Sequence, residues 1–201
     1  MKMWLRLSRG IDGLNTAIGR IACWAIVAAI VVSTVNALMR KIFGLSSNAW
    51  LELQWYLFGA VFMLCAPWTL RLNEHIRIDV VAEKFGRRAS NIIEVTCHVL
   101  FLLTFCALMI WLSVPFVWNS FHTAEVSTNA GGLLLWPAKL IILVGFVLLF
   151  LQGVSELIKR IAIMRGDLAD EGGGDAHAAE AERILTELAE TDARIGGAKP
   201  C

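Results

Sequence analysis

Four apolar runs set the frame of the chain. Ile21 to Met39 is an uncharged run of 19 residues, about 28 Å as a helix and enough to cross a hydrocarbon core. A second run extends from Trp50 to Leu72, with Leu53 to Leu70 free of formal charge. Val95 to Trp118 is the third, with His98 as its only ionisable side chain apart from cysteines, and Leu133 to Ser155 is the fourth. Runs of this length exceed buried strands and predict membrane helices. The expected architecture is all-α, with four transmembrane helices at about 21–39, 50–72, 95–118 and 133–155. The basic lead before Ile21 is long and the first run exceeds a signal-peptide core, so the first helix is read as uncleaved.

The second run carries the most polar detail. At 100° per residue, Glu52, Tyr56, Gly59, Met63 and Ala66 share one face, and Gln54, Val61, Cys65 and Trp68 lie opposite. The first face is polar at its start and small in its middle, which suits packing on protein. Pro67 frees a carbonyl and can kink the helix. Beyond Leu72 comes a compact polar knot, Asn73-Glu74-His75-Ile76-Arg77-Ile78-Asp79. Charged and apolar residues interleave there, so a short interfacial segment is expected after the second helix.

Composition sharpens this picture. The chain of 201 residues is 57% hydrophobic and 17% charged, below the roughly 25% charged residues of a soluble domain. A net charge of +1 supports no nucleic-acid partner, whereas membrane lipids are expected ones. Twelve Lys or Arg fall in the N-terminal lead, the 71–91 loop and the segment after the fourth run, against Arg40 and Lys41 on the other side. The positive-inside rule then places both termini in the cytoplasm. Five cysteines occur without CxxC spacing, so neither a zinc site nor a disulfide framework is expected. Residues 1–165 are read as one membrane domain. Residues 166–201, net −6 with a Gly172-Gly173-Gly174 joint, are read as an acidic, flexible cytoplasmic tail with a polar helical stretch, solvated rather than docked on a partner.

Candidate chemistry is sparse. No P-loop, HExxH, GxSxG or GxGxxG pattern occurs, and the polar segments are too short to build a pocket, so no enzyme, metal or cofactor is expected. His75 and His98 could approach one depth in the bundle, but one pair among charges makes a poor haem site. Glu52 is costly at the hydrocarbon edge unless donors or a cation meet it. With no companion acid in the spans, a structural hydrogen bond or ion pair fits better than ion coupling. Lys139 lies at the same end, where it can snorkel to water or meet Glu52.

Taken in order, Glu52-Leu53-Gln54, Tyr56-Leu57-Phe58-Gly59-Ala60, the knot Asn73 to Asp79, and Trp136-Pro137 followed by an apolar run with Gly145 resemble the small membrane subunit, DctQ-type, of the tripartite ATP-independent periplasmic (TRAP) transporters. The resemblance covers roughly residues 15–165. It implies a scaffold subunit clamped against a large, many-span permease that carries the substrate and sodium sites and moves elevator-fashion. It also implies a periplasmic substrate-binding protein and sodium-gradient-driven uptake of an organic acid into the cell across the inner membrane. Carried over, Glu52, Gln54, Asn73, His75, Arg77 and Asp79 become interface or architectural candidates, joined by Tyr56 and Lys139. The long acidic tail departs from the usual short ending. Without the resemblance, a membrane anchor or cytochrome-type subunit of a redox complex, or a small exporter working through Glu52, would remain as readings.

Overall fold

The computed structural model describes residues 2–44, 47–72 and 95–165. Four helices make it up: α1 (Lys2–Phe43), α2 (Asn48–Arg71), α3 (Val95–His122) and α4 (Trp136–Met164). Each is long and apolar enough to cross a membrane, and the described residues contain no strand beyond an isolated Val126–Leu134 bridge. The polar knot with Asn73, His75, Arg77 and Asp79, the interfacial segment and the acidic tail lie outside the described residues.

The expected spans are present, with shifted edges. The helix holding the first apolar run also takes in the basic lead, giving 42 continuous residues, about 63 Å. It stops where Gly44 adopts φ +67°, a left-handed conformation that glycine enters without a Cβ penalty. The third helix opens with a π-helical turn over His98–Leu103. The fourth begins at Trp136, so Leu133 to Leu135 belong to the preceding connection.

α4 is the hub. It packs on α1, α2 and α3, and α1 packs on α2. Lipid tails are as apolar as leucine, so these contacts depend on small residues and polar pairs rather than on a hydrophobic core. The buried positions say the same: α1 turns Ser8, Asp12, Asn15, Ala22 and Ala29 inward, and α4 turns Gly145, Leu148, Gln152, Ser155 and Ala162. Both sets repeat at alternating intervals of three and four, the seam of a helix pair.

Glycines set the close approaches. A Cβ on Gly19 would lie 3.0 Å from the Trp68 ring, so α1 meets α2 there. A Cβ on Gly145 would meet the Met63 Cβ at 2.7 Å and the Met63 carbonyl at 3.1 Å. That carbonyl is the one Pro67 leaves without its helical donor. Pro67 is buried inside an uninterrupted α2, and Gly145 lets α4 close over the gap it creates. The two faces drawn for α2 are therefore both used. Met63 meets α4, while Cys65 and Trp68 meet α1. Gly59, expected at a packed face, is open, with nothing within 4 Å of a Cβ there.

Candidate functional site

Two polar clusters hold the bundle at its opposite ends. The first surrounds Glu52, just past the first turn of α2 and only 4% exposed. Its carboxylate accepts hydrogen bonds from Asn129 Nδ2 at 2.7 Å, from the Leu133 backbone N–H at 2.7 Å, and from Ser127 Oγ. All three donors sit in the connection between α3 and α4. Tyr56, one turn on, donates its hydroxyl to the Leu134 carbonyl at 3.2 Å, and Asn48 Nδ2 donates to the Ala130 carbonyl at 3.2 Å. The connection turns sharply at Gly131, φ +71°, and its two arms meet through Ser127 N–H to the Leu133 carbonyl and Leu135 N–H to the Glu125 carbonyl. Glu52 thus pins an irregular loop that would otherwise leave donors unsatisfied at the hydrocarbon edge.

Lys139 does not meet Glu52. Its ammonium pairs with Glu125 and lies 4.0 Å from the Phe116 ring centroid. Glu52 is already filled by three donors, whereas Glu125 stands at the start of the connection that leads into α4, within reach of a lysine at the first turn. The Lys139 ammonium holds the Glu125 carboxyl below the usual range. The expectation that hydrogen bonds or an ion pair would satisfy Glu52 therefore resolves to hydrogen bonds. Gln54, half-buried on the same turn, has no hydrogen-bond partner among the described residues.

The second cluster joins α1 to α4, and the sequence reasoning missed it. Gln152, fully buried, donates from Nε2 to Asp12 Oδ1 and Glu156 Oε1, both at 2.9 Å, and accepts from Asn15 Nδ2 at 2.7 Å. The Ser155 hydroxyl donates to Asp12 Oδ1 at 2.9 Å. Its single proton is then committed, so Ser8 is the donor in their 2.7 Å contact. Lys159 closes the network, 2.8 Å from both Asp12 Oδ2 and Glu156 Oε1. Residue numbers rise on α1 as they fall on α4, so the helices run antiparallel. The signal was available: Ser8, Asp12, Asn15, Gly19 and Ala22 recur at intervals of four and three. A lead read only as a run of positive charge hides it.

At the same end, Arg71 of α2 donates to Thr16 Oγ1, and His98 Nε2 lies 3.1 Å from the Gly153 carbonyl. His98 is therefore a polar contact between α3 and α4. Cys23 and Cys65 face each other across α1 and α2 with 4.0 Å between sulfurs, both as free thiols.

The family model for tripartite ATP-independent periplasmic transporters, DctQ component, matches residues 21–162, more than two thirds of the chain, with α2 and α3 whole and α1 and α4 in part. The chain belongs to the DctQ family. Among curated proteins, no relative matches it. DctQ is a transporter component rather than an enzyme family, and a four-helix membrane chain held by internal polar bonds fits that assignment. The match begins at Ile21, so Ser8, Asp12 and Asn15 lie outside it while their partners on α4 lie inside.

Proposed function

We propose that this DctQ chain is the scaffold of a TRAP-type secondary transporter, supporting a large permease subunit in sodium-gradient-driven uptake of an organic acid. A periplasmic binding protein delivers the solute. The chain sits in the bacterial inner membrane with both termini in the cytoplasm, the side favoured by the twelve basic residues. The observation that carries the scaffold role is the state of Glu52. Its carboxylate is filled by three donors of its own chain, so it builds architecture rather than coupling an ion.

The interface candidates divide accordingly. Glu52, Tyr56 and Lys139 shape the α3–α4 connection from within. Gln54, with Asn73, His75, Arg77 and Asp79 of the knot, is assigned to contact with the large subunit. The test is uptake of a radiolabelled dicarboxylate by proteoliposomes under an imposed sodium gradient, with the substrate-binding protein added outside and the large subunit reconstituted alone or with this chain. Uptake that needs both subunits, with no uptake by this chain alone, is the expected result. Transport by this chain alone would overturn the scaffold role.

A further inference from the structure

The first twenty residues of α1 carry a second pattern that neither the seam to α4 nor the scaffold role uses. Trp4, Leu7, Ile11, Leu14, Ile18 and Ile21 recur at intervals of three and four, a stripe along one side of the helix. Met3, Trp4, Leu7 and Leu14 are about half or more exposed. Arg6 is also exposed and falls on the flank of this stripe, and Arg9, three residues on, is exposed on the far side of Arg6. Asp12, the one acid of the lead, is turned away into the buried network and paired with Lys159. What remains outward is apolar and cationic.

Two arguments identify what covers it. The stripe runs on along the same side through Ile21, Ala28 and Val35, which are exposed along the span itself, so one apolar surface runs from the span into the lead. The polar network also fixes the depth. Asp12 lies level with Gln152 to Lys159, where the apolar run of α4 gives way to charge, so residues 3–11 occupy the interface zone. An apolar stripe bearing Trp and flanked by Arg suits that zone, and guanidinium groups pair with phosphate. We propose that the lead of α1 is a binding site for anionic phospholipid, with Arg6 and Arg9, three residues apart, holding the headgroup and Leu7 and Leu14, beside Arg6, resting on the acyl boundary. The proposal rests on the membrane-spanning fold and not on the transport reading.

The test is native mass spectrometry of the full chain in mild detergent, titrated with phosphatidylglycerol or phosphatidylcholine. Phosphatidylglycerol is expected to bind more tightly. Each basic side chain near an anionic surface contributes about fivefold, so the R6Q/R9Q double variant should weaken phosphatidylglycerol by about 30-fold and leave phosphatidylcholine unchanged. Neither arginine makes a contact that a fold depends on, since Arg9 only reaches its own helix at the Leu5 carbonyl, 3.4 Å away. Equal affinity for the two lipids would overturn the proposal. So would a preference lost in R87Q/R88Q but kept in R6Q/R9Q. A preference that emerges only when Glu180, Glu182 and Glu187 are replaced by Gln would also overturn it, because the acidic tail would then be the occupant.

Discussion

Replacing Gln152 by Leu tests whether the buried network holds α1 on α4. The substitution keeps the side chain's size and removes its polar atoms. Three hydrogen bonds disappear: one accepted from Asn15 and one donated to each of Asp12 and Glu156. Polar contacts between membrane helices average about 0.6 kcal/mol each, which sets a floor near 2 kcal/mol. In soluble proteins a neutral bond contributes about 1 kcal/mol and one to a charged group about 1.5–3 kcal/mol, a ceiling near 7 kcal/mol. The remaining partners argue for the lower half of that range. Asp12 keeps Ser155 and Lys159, and Glu156 keeps Lys159. Only Asn15 loses its strong partner, retaining a 3.5 Å contact to the Leu148 carbonyl. A loss of about 2–4 kcal/mol is expected. Reversible unfolding of the full chain in mixed micelles, followed by circular dichroism, would measure it, with Gln54→Leu as a control expected within about 0.5 kcal/mol of the parent. A Gln152→Leu protein as stable as the control would refute the reasoning.

Other consequences follow from the same contacts. Glu52→Ala should leave membrane insertion intact and lower co-purification with the large subunit or uptake, and His75→Ala should do the same. Unchanged values in both variants would remove Glu52 from the architecture that assembly needs and His75 from the interface. Gly145→Leu places carbon where Met63 already stands and should destabilise the chain by more than about 1 kcal/mol in the same unfolding assay. Glu125 has a depressed carboxyl pKa, so its stabilising contribution is present above the unfolded value near 4.5 and is lost as pH falls through the lower folded value. Proteolysis of the α3–α4 connection should therefore accelerate below about pH 4.5, and Lys139→Met should remove that acid-sensitive step. Copper–phenanthroline oxidation should join Cys23 to Cys65, a cross-link seen by peptide mass spectrometry and absent from Cys65→Ser.

The four spans were legible because lipid tolerates only long uncharged helices, and an uncharged run such as Ile21 to Met39 leaves no other reading. Glu52 was legible as well: a carboxylate at a hydrocarbon edge must be met by donors, though which donors is a matter of tertiary placement. Lys139 finds a different acid from the one expected for that reason. Its depth matches that of Glu52, but depth alone does not distinguish Glu52 from Glu125, and loop geometry decides. The network around Gln152 was hidden by length. Its members on α1 precede the apolar run, and the basic residues interleaved with them, Arg6, Arg9 and Arg20, mask the spacing of the polar seam. Its spacing of three and four would have sufficed had the lead been tested as helix.

A tagged copy of the full chain, pulled down in mild detergent from its native membrane and examined by mass spectrometry, tests the scaffold role most directly. The account predicts recovery of a large, many-span permease. Recovery of a flavin or iron–sulfur subunit instead would contradict it.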